Sequence, residues 1–219
     1  MYALIENGEV KKFPYGADVL RRDNPQTSFP KNPSGELLAS YNVFPVVSVG
    51  AQYDPSTQVA EPNGCSYNAD LDRWETAWTV RDKTSAEVEA ARSAAWEQVK
   101  AERKRRTEGG VLVDTHWFQT DPDSRIQFLR LDQKATTALT AGGQPTDMLT
   151  VAGQDVYWKT YDNGLVPMTV ALAQGIAAAI EVLDAMAFAR GDQLRAQIEA
   201  STDPESIDIT VGWPPIYEA

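Results

Sequence analysis

Hydrophobic and polar positions follow one rhythm up to about residue 82 and another beyond it. Tyr2 to Ile5 reads as a short strand, Glu6-Asn7-Gly8-Glu9 as its turn, and Val10 to Phe13 as the strand that pairs back. The Asn7-Gly8 pair supplies the positive φ that such a turn needs. Val43 to Val49 is a second β-rich run. Asp72 to Val80 is a third, with Trp74, Thr76, Trp78 and Val80 on one face at period two. Pro14, Pro25, Pro30, Pro33, Pro45, Pro55 and Pro62 are scattered through this region. Proline fixes φ and removes a backbone donor, so no long helix fits here.

Beyond residue 82 the period lengthens. Thr84 and Glu87 fit a capping box at the start of a helix that should run to about Arg106. Val88, Ala91, Ala95 and Val99 share one face, with Trp96 at its edge. Basic residues from Lys100 to Arg106 suit the C-terminal end of the helix dipole, and Gly109-Gly110 ends the element. Val111 to Thr120 reads as one strand. Asp121-Pro122-Asp123-Ser124 is a turn and a start signal for a helix over Arg125 to Leu139. Ala141 to Pro145 is a loop. Asp155 to Tyr161 alternates as a strand with Val156 and Trp158 on one side, Asp162-Asn163-Gly164 turns it, and Leu165 to Met168 returns. The strongest pattern is a helix from about Thr169 to Ala200. Leu172, Ile176, Ala179, Leu183, Ala187, Leu194 and Ile198 form its stripe, interrupted late by Arg190 and Gly191. Such a helix spans about 45 Å and is expected to reach past its own core, towards another subunit. Ile207 and Ile209 then alternate ahead of Trp213-Pro214-Pro215.

These elements predict an α+β protein in two parts. Residues 1–82 form a small, β-rich, proline-rich attachment domain. Residues 83–219 form an α+β domain with two long helices and short antiparallel strands.

Composition narrows the setting. Hydrophobic residues at 42% and charged residues at 23% are those of a folded chain rather than a disordered one. The formal net charge of −11 argues against wrapping nucleic acid and against docking on anionic lipid. The first residues, MYALIENGEV, carry no basic stretch and no long apolar run, so no signal peptide is expected. Val166 to Ala189 is the most apolar segment, but Gln174, Glu181 and Asp184 break it, so no membrane span is expected. A lone Cys65 allows no intrachain disulfide.

No catalytic, cofactor or metal site emerges from the residues. His116 is the only histidine and lies beside Trp117 and Phe118, where a packed histidine is the simpler reading than a triad member. One Cys and one His cannot build a zinc site. The 31 acidic residues make carboxylate pairs unavoidable, and no spacing singles one out for glycosidase chemistry. Asp121 to Ser124 lacks the calcium-loop pattern, and neither glycine pair has phosphate-loop spacing. The run Lys100 to Arg106 reads as a solvated, dipole-satisfying face. The aromatics stand out more. Trp74 and Trp78, and Trp213 with Pro214 and Pro215, are candidate partner contacts, because tryptophan anchors interfaces. Each is also open to a core reading: the Trp-Pro-Pro segment either docks on a partner or laps onto its own domain.

The residues from Ala95 to Pro214 resemble a phage domain family of unknown function found at the C-terminal end of tail-fibre-associated and other tail proteins. The resemblance rests on Trp96 with Arg103 and Arg106, Phe118, Asp121 with Ser124, Trp158 with Asn163-Gly164, the helix Thr169 to Ala200, and Gly212-Trp213-Pro214. The N-terminal part, with Pro14-Tyr15 and the run Asp23 to Pro30, is similar to the heads that precede this domain in phage proteins. The closing helix and Trp-Pro resemble tail-fibre assembly chaperones less closely. The resemblance implies a virion structural protein of the tail, at the baseplate or tail-fibre attachment, made in the host cytoplasm. Its partners would be other tail, baseplate or fibre proteins and further copies of itself. An assembly chaperone is the alternative, and a tail-associated polysaccharide or cell-wall hydrolase a third reading.

Overall fold

The computed structural model describes residues 1–218. It is an α+β fold that divides into two compact units, Met1–Ser85 and Ala86–Ala219.

The first unit is a five-stranded sheet with two short helices. Strand β1 (Tyr2–Glu6) turns into β2 (Glu9–Lys12) through Asn7 and Gly8, at φ of 54° and 77°. Helices α1 (Ala17–Asp23) and α2 (Gly35–Ser40) follow, the second capped by the Ser34 hydroxyl, which accepts from the Leu37 N–H. Then come β3 (Val43–Val47), β4 (Gln58–Asn68) and β5 (Arg73–Asp82), giving the order β2-β1-β3-β5-β4. All neighbours are antiparallel except β3 and β5.

Alternation along the strands separates two small cores. Val43 and Leu4 lie with Tyr15, Leu20 and Leu38 in the cluster to which α1 and α2 contribute. Ala3, Ile5, Val46 and Cys65 point the other way, with Phe44 and Trp74 packed against them.

Three expectations for this unit need correction. The two short helices were not foreseen, because each is too brief to show a helical period. Strand β4, the longest, was missed because Pro62 and its polar neighbours do not read as a strand. It is an edge strand, and Pro62 sits at its register shift, where a missing donor costs least. The period-two face of β5 is split. Trp74 faces the core, but Trp78 and Val80 are exposed, because β3 pairs only as far as Trp74 and Glu75 while the β4–β5 ribbon runs on to Asp82.

In the second unit, α3 (Ser85–Glu108) begins directly after Thr84 and stops before Gly109. The expected single strand over Val111 to Thr120 is instead a hairpin, β6 (Val111–Val113) and β7 (His116–Phe118), turned at Asp114 with φ of 54°. Asp114-Thr115 lacks the glycine or proline that usually marks a turn, so the break was not apparent. Helix α4 (Pro122–Thr140) starts at Asp121, whose carboxylate accepts from the N–H groups of Asp123 and Ser124. A two-residue hairpin, β8 (Thr150–Val151) and β9 (Gln154–Asp155), precedes the expected hairpin of β10 (Tyr157–Lys159) and β11 (Leu165–Pro167). Helix α5 (Val170–Ala200) is capped by the Thr169 hydroxyl, which accepts from the Leu172 N–H.

Helix α5 is the spine of this unit. Val170, Ala173, Ile176 and Leu183 in its first half pack with Phe118, Phe128, Leu131 and Met168. Ala187, Leu194 and Ile198 in its second half pack with Ala95, Val99 and Trp213. Contrary to the sequence reading, α5 is long and apolar enough to cross a membrane by length and composition. Its buried residues nevertheless recur along its whole length against two cores, and Asp184 is ion-paired with Arg125. That is the pattern of a core helix.

The supposed interruption at Arg190-Gly191 is not one. The helix is continuous and Gly191 is buried in it. A Cβ on Gly191 would meet Arg103 Cδ at 3.6 Å, an ordinary van der Waals contact. Glycine inside a helix is about 1 kcal/mol less favourable than alanine. Gly191→Ala is therefore expected to raise the stability of the unit by about that amount, read as a higher denaturant midpoint. A lower midpoint would show that the Arg103 side chain cannot accommodate the methyl.

Candidate partner-binding surface

The second unit carries an open apolar groove of about 330 Å³. The β6–β7 hairpin forms one wall through Leu112 and Trp117, α5 forms the floor through Ala178, Val182 and Met186, and Pro214 and Pro215 close one side. Each wall has a local cause. Gly110 has φ of 99°, and a Cβ there would lie 2.8 Å from the Tyr161 ring and 3.0 Å from the Phe118 carbonyl. Only glycine lets the chain leave α3 and enter the hairpin at this angle. The Gly110 N–H donates to the buried Thr120 hydroxyl at 2.8 Å, which fixes the hairpin base.

The floor exists because α5 is apolar on both faces. Opposite the buried stripe, Ala178, Val182, Ala185, Met186 and Ala189 recur at helical spacing. Val182 and Met186 are more than half exposed, as is Leu112, and Phe188 projects from α5 at 65% exposure. These residues are not among the expected partner contacts. The signal was available, since a helix whose polar face is largely missing has apolar surface left over once the core is filled.

The closing segment is strapped in place by its backbone. The Tyr217 N–H donates to the Gly109 carbonyl at 2.9 Å, Arg106 Nη1 to the Pro214 carbonyl at 3.2 Å, and Arg190 Nε to the Val211 carbonyl at 3.0 Å. The Tyr217 ring stacks on Tyr161 with centroids 4.7 Å apart.

Of the five residues expected to meet partners, Trp213 belongs to the core and Pro214 is largely buried beneath the groove it helps to line. Trp213 is only 9% exposed and lies in the core with Ala95, Val99 and Leu194, its indole N–H donating to the Ile209 carbonyl at 2.7 Å. Pro214 is buried too. Trp213 is corrected to intramolecular packing: the tail laps onto its own domain, because an indole with its N–H satisfied gains more from a prepared core than from water. Pro215 remains exposed at the groove. In the first unit Trp74 is half-buried against the sheet core, while Trp78 is exposed at 36% with its N–H bonded to the Val49 carbonyl at 2.8 Å.

Most of the basic run on α3 is ion-paired within the helix. Arg105 and Arg106 both bond Glu102, and Lys100 pairs with Glu97 at 2.6 Å. The Arg105 hydrogen bond, then that of Arg106, holds the Glu102 carboxyl below its usual range against the opposing effect of burial. A depressed folded-state pKa means that this stabilisation is complete above the unfolded value of about 4.3 and is lost as pH falls through the folded value. Glu102→Gln is expected to flatten the acid limb of stability measured below about pH 4.3; an unchanged limb would remove Glu102 from that dependence.

Burial pushes the Cys65 thiol up, away from the reactive thiolate. His116 is on β7, and its buried Nδ1 meets no protein partner. Among the described residues no group of three His, Cys, Asp or Glu side chains is placed to hold a metal ion.

An α+β domain built on one long apolar helix, with an open groove along it, is the class that these features define. Residues 90–211, more than half of the chain, match the family described as "Domain of unknown function (DUF4376)", and the chain belongs to that family. No curated protein and no solved structure matches it.

Proposed function

We propose that this protein is a non-enzymatic structural component of a bacteriophage tail, at the baseplate or tail-fibre attachment, acting as a protein–protein adaptor. The observation that carries the adaptor reading is the groove beside α5, with Leu112, Val182 and Met186 all more than half exposed. Contiguous apolar surface of this kind marks interaction sites on folded proteins. Its occupant in this reading is an apolar segment of a neighbouring tail, baseplate or fibre protein. The tail setting rests on the resemblance carried by Trp96, Asp121, Trp158, Asn163-Gly164 and Gly212-Trp213. The net charge of −11 and the pairing of Lys100, Arg105 and Arg106 with glutamates of α3 favour protein over nucleic acid as partner.

Quantitative mass spectrometry of purified particles beside the crude lysate tests the proposal. Recovery in the particle at a fixed small-integer ratio to a known tail protein is the expected result, and that ratio gives the number of copies. Abundance in the lysate with absence from the particle would overturn it in favour of an assembly chaperone. Val182→Asp tests the groove itself. The side chain is exposed, so folding is expected to be unchanged, while incorporation falls by at least tenfold because a charge is buried without a partner. Normal incorporation of the variant would free the groove from this role.

A further inference from the structure

The first unit holds a second cleft, of about 370 Å³, whose chemistry differs from that of the groove. It lies where β1 ends and β3 and β5 begin, so the sheet itself brings its walls together. Phe44, Tyr67 and Trp74 line it, with Asn7 and Asn42 beside them. Tyr67 and Trp74 are directly opposed across β4 and β5, their ring centroids 5.4 Å apart and their planes at 58°. The two rings form an open corner rather than a closed stack. The Tyr67 hydroxyl donates to the Asp72 carboxylate, which holds the ring, and Tyr67 stays half exposed.

Asn7 and Asn42 both adopt positive φ, 54° and 59°. That backbone is set by the β1–β2 turn and by the entry to β3. Both residues are exposed at the rim of the cleft, where no hydrogen bond within the described residues uses either side-chain amide. Each amide offers a donor and an acceptor. No charged side chain lines the cleft.

We propose that this cleft binds a neutral saccharide, one pyranose ring seated in the Tyr67–Trp74 corner. The negative faces of aromatic rings attract the slightly positive C–H bonds on the flat side of such a sugar. Vicinal hydroxyls both donate and accept, which matches two free amides. An ionic ligand is disfavoured, because it would lose water without gaining a counter-charge. A proline-rich peptide also stacks on aromatic rings. Its proline residues present only carbonyl acceptors, however, and would leave the acceptor half of each amide unused. Mostly apolar walls with a few convergent polar groups are the usual make-up of a small-molecule site. This inference concerns the first unit alone and stands independently of the tail setting.

The test is a titration of the ¹⁵N-labelled full chain with the methyl glycosides of glucose, galactose, mannose and N-acetylglucosamine, and separately with a polyproline peptide. The readouts are the Trp74 indole N–H, assigned with Trp74→Phe, and the side-chain amides of Asn7 and Asn42. At least one glycoside is expected to give saturable shifts at all three. Asn7→Gly and Asn42→Gly keep the positive φ at no steric cost and so keep the fold. Each is expected to weaken binding about tenfold by removing one hydrogen-bonding group. No saturable shift with any glycoside, undiminished binding in both glycine variants, or a response to polyproline alone would overturn the proposal.

Discussion

Replacing Trp213 with alanine is expected to destabilise the second unit by about 3–5 kcal/mol, the usual result of truncating a buried tryptophan. The indole fills the space between α3 and the second half of α5, touching the cluster of Ala95, Val99, Ala187, Leu194 and Ile198. Four of those five residues are small or β-branched, so little nearby side chain is free to swing into the void. The indole N–H bond to the Ile209 carbonyl would be lost as well, freeing the segment that carries Ile207 and Ile209. A domain of this size has a total stability of about 5–15 kcal/mol, so the variant should show a much lower urea midpoint. Removing everything after Ser206 should do at least as much harm. A loss under about 1 kcal/mol in Trp213→Ala would show that the tail is dispensable to the fold and would return it to the role of a docking peptide.

Arg125→Ala is expected to cost about 2–3 kcal/mol, most of it from stranded backbone carbonyls rather than from a broken ion pair. The guanidinium of Arg125 joins three elements. Nε donates to the Thr120 carbonyl at 2.7 Å, Nη2 to the Thr107 carbonyl at 2.7 Å, and Nη1 and Nη2 to the two Asp184 oxygens at 2.7 and 2.9 Å. Thus the end of α3, the start of α4 and the middle of α5 share one side chain. Asp184 is 46% exposed, so the charge pair is screened and contributes little by itself. Two consequences separate the terms. Asp184→Asn should cost less than about 1 kcal/mol. Arg125→Lys should recover only a minor part of the loss, since one ammonium cannot reproduce the planar fork. Urea denaturation of the three variants at constant m-value checks the order. Equal losses in Arg125→Ala and Asp184→Asn would mean that the ion pair dominates after all.

Several elements were legible along the chain because their signals are local. The 31-residue helix α5 announces itself by its stripe and by Thr169 at its cap. The Asn7-Gly8 and Asn163-Gly164 turns announce themselves by residues that tolerate positive φ. Asp121-Pro122 marks the start of α4 in the same way. What failed was long-range or masked. The β6–β7 turn at Asp114 carries no glycine or proline to mark it, and β4 was hidden by Pro62, which an edge position tolerates.

The candidate surfaces divide along the same line. That Trp213 and Trp74 are large, amphipathic and suited to contact is a property of the residue, readable anywhere. Which of them meets the protein's own core depends on what the chain folds against them: α3 and α5 around Trp213, and the sheet core around one side of Trp74. The groove beside α5 needed the hairpin, the helix and the Pro214-Pro215 segment in one place, brought together from positions about a hundred residues apart. The aromatic cleft needed strand order, since β1, β3, β5 and β4 become neighbours only in the sheet. By itself the sequence determined the longer helices, the glycine-marked turns, the α+β class and the acidic charge, because caps, turns and periodicity act over a few residues. The tertiary structure decided which apolar residues were left over for the outside, because burial is settled by partners distant in the chain.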